Sequence, residues 1–168
     1  DYKKPDFTEP IKLIKILYEK GVKLINITMG TPYHNPHVNR PYDKGGYIPD
    51  EHPLEGVARL IDGAGVIQKA VPEIKVVGTG YSWLREFSPY LAAGALEQGL
   101  ATLVGYGRET FAYPDFPKDI FTTGSMKKEK CCIACGKCAE LMRAGGTTGC
   151  VVRDAKVYAP IYNQYCKK

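Results

Sequence analysis

An α/β fold carried on a parallel sheet is what this sequence predicts, on two observations. Segments of helical periodicity alternate with short β-branched runs from Thr8 to Gly107, and glycines close those runs where strands would hand over to loops. Its 168 residues, 44% hydrophobic and 24% charged, suit one soluble domain with an appendage.

The elements follow in order. "TEPIKLIKILYEKGVK" places Ile11, Ile14, Leu17 and Tyr18 on one helical face, with Thr8 as N-cap, Pro10 in the first turn and Gly21 as the stop. "KLINITMG" reads as a strand ended by Gly30. Residues 31 to about 53 hold five prolines and predict a long polar loop, the kind that serves as a lid or binding loop or stays disordered. "LEGVARLIDGAGVIQKAVP" is a second helix, "IKVVGTGY" a buried strand, "SPYLAAGALEQGL" a third helix and "ATLVGYG" a last strand. Three strands and three helices do not close a barrel. The pattern suits either a small open α/β domain or about three βα units, the C-terminal part of a (β/α)8 barrel.

The charge is uneven. Nine of the 23 Lys/Arg and only three of the 18 Asp/Glu lie between Lys127 and Lys168, so this tail carries +6 and the rest −1. It lacks the basic face with stacking aromatics that nucleic-acid binding asks for, and no apolar run nears the ~20 residues of a membrane span. "DYKKPDFTEP" is not a secretory signal. The expectation is therefore a cytoplasmic protein with neither nucleic-acid nor membrane partner, whose clustered thiols bind metal rather than pair as disulfides.

Two strand ends share a glycine signature, "VVGTGYSW" (76–83) and "LVGYGRE" (103–109). Ligands of parallel α/β folds sit beyond the carboxyl ends of strands, where glycine lets backbone N–H groups approach an anion. Either motif alone reads as a tight turn. In consecutive βα units, with Arg108 supplying a fixed charge, they predict phosphate binding at Gly78, Thr79, Gly80, Gly107 and Arg108.

The tail holds "CCIACGKC" and then "GGTTGC". Cys132, Cys135, Cys138 and Cys150 give C-x2-C-x2-C-x11-C. A close triple wraps three corners of a cubane and a remote fourth thiolate closes it, so [4Fe–4S] is the first reading. Zinc sites more often pair two knuckles and come second, disulfides third. Cys131 and Cys166 are left as free thiols. The expected division is a barrel segment over residues 1–122 and a cysteine segment over 123–168.

"KVVGTGYSW…PYLAAGALEQGLATLVGYGRETFAYPDFP" resembles the end of the FMN-binding barrel of the old yellow enzyme family, in the branch of NADH:flavin oxidoreductases and 2,4-dienoyl-CoA reductases. The likeness runs from about Thr8 to about Asp154, and "GRETFAYPD" is its most specific piece. It implies an FMN phosphate held around Thr79, Gly80, Gly107 and Arg108, with the first five barrel strands outside this chain. It also implies a cluster relaying electrons, NAD(P)H as reductant and an enone or enoyl thioester as substrate. In "GTPYHNPHVNRPYD" (30–43), Tyr33-His34 matches a Trp-His pair whose histidine faces the substrate, which implies a catalytic His34. Asn35 stands where an acidic residue often follows. His37 and His52 read as solvent-facing loop residues. The family's cysteine run has three residues between its second and third members where this chain has two. A segment of this kind is expected to expose an apolar sheet edge, to pair with the missing barrel half or with itself, and to be inactive alone. The rival readings are a stand-alone iron–sulfur electron carrier and a zinc-stabilised binding module.

Overall fold

The computed structural model describes residues 1–43 and 45–167. Among the described residues it contains eight α-helices, a 3-10 segment and a three-stranded parallel sheet. Helix α1 (Thr8–Glu19) begins at the residue expected to cap it, with Phe7 in the capping position. Thr8 is the first helical residue, and its N–H donates to Asp6 at 2.9 Å. Gly21, at φ +97°, ends the helix in the left-handed region. Strand β1 (Leu24–Ile27) follows.

The proline-bearing loop is more organised than a free polar segment. It contains the short helix α2 (Pro36–Asn39), and Val38, Tyr42 and His37 are buried. The Asn39 amide donates to Thr28 Oγ1 at 2.9 Å, pinning the loop to the end of β1. His37 is not solvent-facing: it is 3% exposed, lies edge-on to Tyr2, and its Nε2 is 3.7 Å from Glu51. The Glu51 carboxylate also takes both prongs of Arg59, one at 2.8 Å. A sequence window sees only polar letters here, because the partners come from residues 2, 51 and 59. His52 is a helix cap. Its Nδ1 accepts the Leu54 N–H at 3.2 Å while Glu55 accepts the His52 N–H, a reciprocal pair that opens α3 (Pro53–Ala70).

Strand β2 (Lys75–Gly78), α4 (Ser88–Glu97) and β3 (Leu103–Val104) complete the alternation, in parallel order β1-β2-β3 with Ile25 opposite Val76 and Val77 opposite Leu103. Gln68 of α3 locks helix to sheet. Its amide donates to the Ile74 carbonyl at 3.0 Å, and its oxygen accepts from Val76 N–H and from the Thr102 hydroxyl at 2.7 Å. Leu24 and Leu103, on the two outer strands, stay 56% and 47% exposed, so both flanks of the small sheet present apolar surface.

The tail is helical: α5 (Glu109–Ala112), α6 (Phe116–Thr123), α7 (Lys137–Arg143) and α8 (Ala155–Cys166). The described residues gather into two compact units. The first, residues 1–43, 49–81 and 90–105, has a core of Ile14, Ala64, Ile67, Val71, Ile74 and Val76 beneath the sheet. The second, residues 45–48, 82–89 and 106–167, is centred on Tyr113, Phe116, Met126 and Cys131, with Tyr106 and Ile120 packed against them. The second unit takes in residues 106–122 together with the cysteine-bearing residues that follow: Glu109 accepts the Cys132 N–H, and Tyr113 and Phe116 pack with Cys131.

Candidate metal and cofactor site

Of the anticipated phosphate contacts, Gly78, Thr79 and Gly80 belong to the first unit and Gly107 and Arg108 to the second. At the carboxyl end of β2 the Thr79 hydroxyl donates to the Ile27 carbonyl at 3.0 Å, joining the ends of β1 and β2. Gly80 has φ +105°, and a Cβ there would stand 2.8 Å from Leu60, so this turn admits glycine alone. Gly107 differs: a Cβ would meet nothing within 4 Å, and whatever requires glycine there is not steric crowding within the chain. His34 is exposed beyond β1, in an isolated antiparallel bridge with Thr31, with its Nε2 3.4 Å from the Asn35 amide.

In the second unit Arg108 precedes Glu109, which is fully buried. Burial pushes the Glu109 carboxyl above the usual range, against the opposing pull of the Cys132 amide and of Arg153. The Cys132 N–H donates to both carboxylate oxygens, at 3.2 and 3.1 Å.

All four cysteines of the C-x2-C-x2-C-x11-C run lie in the second unit. Burial lifts the Cys132 and Cys138 thiols above the ordinary value, and the Arg108 guanidinium pulls both back down. Charge on Cys135 and Cys150 adds to the upward shift at Cys138, and charge on Cys138 adds to that at Cys132. Sulfur lone pairs meet backbone donors: Ala134 N–H points to Cys132 Sγ at 3.4 Å and Arg153 N–H to Cys150 Sγ at 3.3 Å. Cys135 is the exposed member, on the loop that leads through the left-handed Gly136 into α7. Gly149, just before Cys150, lies flat against the Tyr158 ring of α8, where any Cβ would fall 2.1 Å from a ring carbon.

Among the described residues no three His, Cys, Asp or Glu side chains stand as a ready-made ligand group. The donor chemistry fits a tetrathiolate centre: four thiols within the second unit, backbone N–H groups directed at two of them, and a guanidinium whose charge pulls two of them down. Thiolate sites commonly close only when metal arrives and displaces the thiol protons.

Cys131 has a different place. It is fully buried in the apolar core, its Sγ donates to the Lys127 carbonyl at 3.3 Å, and burial lifts its pKa to about 11. Cys166 ends α8 as a free thiol. Sequence reasoning passed over Glu109 and Arg153. An acidic residue opening a short helix reads as a dipole partner, and an arginine three positions beyond a cysteine reads as surface charge.

No protein-family model, curated protein or solved structure matches this chain. No helix among the described residues is long and apolar enough to cross a membrane.

Proposed function

We propose that this chain is the C-terminal segment of a flavin- and iron–sulfur-dependent oxidoreductase of the old yellow enzyme type, acting on an activated alkene with NAD(P)H as reductant. One observation carries the reading: the C-x2-C-x2-C-x11-C thiols share the second unit with the arginine that directly follows Gly107, and backbone N–H groups meet Cys132 Sγ at 3.4 Å and Cys150 Sγ at 3.3 Å. The sequential parallel order β1-β2-β3 supports the fold side of it, since three consecutive βα units of a (β/α)8 barrel have that order.

FMN supplies hydride transfer and a [4Fe–4S] cluster single-electron transfer when bound. The chain's own residues then have separable tasks. The Thr79-Gly80 turn offers backbone at a strand's carboxyl end, and Arg108 adds a permanent cation suited to an anionic tail or to a negatively charged thiolate centre. His34, exposed beyond β1, is placed on a solvent-accessible loop where an imidazole can hold or deliver a proton to a substrate. Since the resemblance puts the first five barrel strands outside this chain, the segment alone is expected to be inactive.

Anaerobic reconstitution with iron and sulfide tests the reading. It expects a brown protein with about four iron and four sulfide per chain, and FMN fluorescence quenched on titration. Zinc retained with no iron or sulfide uptake would select the zinc-stabilised module, and a cluster without flavin binding the stand-alone electron carrier. Uptake of neither metal would end all three.

A further inference from the structure

Glu109 and Arg153 grip one peptide unit from its two poles. The N–H of Cys132 donates to both oxygens of the buried Glu109 carboxylate, at 3.2 and 3.1 Å. The carbonyl of Cys131 belongs to the same peptide, and it accepts from Arg153 Nε at 3.0 Å and from Nη2 at 2.9 Å. A carboxylate on the positive end of a peptide dipole and a guanidinium fork on the negative end are both charge-assisted contacts. Turning that peptide over would set like poles against two charges, so its orientation is fixed.

The chain of contacts continues. The backbone N–H of Arg153 donates to Cys150 Sγ at 3.3 Å. A continuous path therefore runs from Glu109 through the Cys131–Cys132 peptide to Arg153 and on to Cys150. It joins the first member of the cysteine run to the last across eighteen positions of sequence.

We propose that Glu109 and Arg153 are the positioning residues of the cysteine set, fixing the register between the close triple and the distant Cys150. The inference rests on the reading of these cysteines as ligands of one centre. Neither residue touches the centre itself. Each acts through a backbone group, Glu109 through the amide of Cys132 and Arg153 through the Cys131 carbonyl and its own N–H. Two sulfurs eighteen positions apart otherwise lose a large conformational freedom when they bind one metal group, and a clamp already formed removes part of that cost. Lysine cannot replace Arg153, since its ammonium lacks the planar pair of donors that meets one carbonyl from two sides.

The test compares the full chain with Glu109→Ala, Glu109→Gln, Arg153→Ala and Arg153→Lys. Far-UV circular dichroism first establishes that each variant folds. Two readouts follow: amide hydrogen exchange at Cys132 in the metal-free chain, and iron–sulfide uptake with the electron paramagnetic resonance spectrum of the reduced centre. Glu109→Ala and Arg153→Ala are expected to speed Cys132 exchange on the order of tenfold, as for loss of one net hydrogen bond. They are expected to weaken metal retention about 10–100-fold, as loss of outer-sphere partners does. Glu109→Gln, which keeps one acceptor oxygen and is the variant to use if Glu109→Ala misfolds, should lie between wild type and Ala. Arg153→Lys should resemble Arg153→Ala. Wild-type exchange and wild-type metal retention in folded Glu109→Ala or Glu109→Gln would overturn the inference. If the wild-type chain itself takes up neither iron and sulfide nor zinc, the proposed function fails instead, and Cys132 exchange in the metal-free variants alone decides whether the clamp exists.

Discussion

Two neighbouring cysteines with opposite fates show how much environment decides about one side chain. Cys131 turns into the core among Tyr113, Phe116 and Met126, and its burial-raised pKa of about 11 keeps it a neutral thiol at physiological pH. Cys132, one residue on, is half-buried, its backbone N–H held by Glu109 and its Sγ accepting from the Ala134 N–H. Cys131→Ala is therefore expected to keep full iron and sulfide content while costing about 1–2 kcal/mol of stability from the vacated core volume. Alanine at Cys132, Cys135, Cys138 or Cys150 is expected to abolish uptake. Metal analysis beside a urea titration separates the two outcomes, and loss of the centre in Cys131→Ala would mean that the ligand register starts one residue earlier. The pairing of Glu51 with Arg59 makes the same point in the first unit, where side chains 3% and 11% exposed neutralise each other under the histidine loop.

At the scale of elements, most of the α/β alternation was legible because periodicity and punctuation agree there. Ile14 and the Ile67 to Val76 stretch mark buried faces, and Gly21 and Gly80 sit where the backbone turns left-handed. The rest was not legible for definite reasons. The last strand was placed correctly within "ATLVGYG" but its length was not legible: only Leu103 and Val104 pair, beside the Gln68–Thr102 contact. The tail helices escaped because α5 and α7 are four and seven residues long and α8 carries Pro160 in its middle, a residue that reads as a stop. Of the candidate site, residue identity was legible in the cysteine spacing. The clamp was not, since Glu109 reaches Cys132 over 23 positions.

Two further outcomes belong to this scale. Gly80→Ala is expected to cost about 1–3 kcal/mol, since alanine must adopt φ +105° against Leu60. Gly107→Ala, with open space at its Cβ, should stay within about 0.5 kcal/mol and change ligand binding if it changes anything. Thermal melts distinguish them, and equal losses would refute the steric argument. Alkaline titration reads α6. Tyr113 is buried and hydrogen-bonded to Asp119, which together push its pKa to about 12. Because this folded value lies above the ordinary 10, the associated stability is present below pH 10 and lost as pH rises through about 12. Asp119 shifts the other way: the Tyr113 hydroxyl holds its carboxyl below 3.8, so its contribution persists above that value and fades in stronger acid. Tyr113→Phe should be less stable at pH 7 and lose less between pH 9 and 11. A slope equal to wild type in denaturant midpoints would remove Tyr113 as the cause.

On the scale of the whole molecule, the chain passes from one compact unit to the other repeatedly, and the second unit collects residues 82–89 from between two segments of the first. Within that second unit Ser88 accepts the Tyr106 hydroxyl at 3.1 Å and donates to Met126 at 3.4 Å, so a serine from the sheet-building half of the sequence is interior to the cysteine-bearing half of the structure. Compactness and sequence order are therefore decoupled. The sheet's outer strands leave Leu24 and Leu103 open, so apolar surface stays exposed at both flanks.

That interleaving bears on portability. A cassette cut at position 123 would carry all six cysteines yet leave behind the acid under Cys132, the aromatic floor of Tyr113 and Phe116, and the serine at position 88. Transplanted to another scaffold, such a piece would bring its metal-seeking groups without the framework that aims them. A portable version would have to reach back through Ser88, since Ser88, Glu109, Tyr113 and Phe116 all contact residues of the tail.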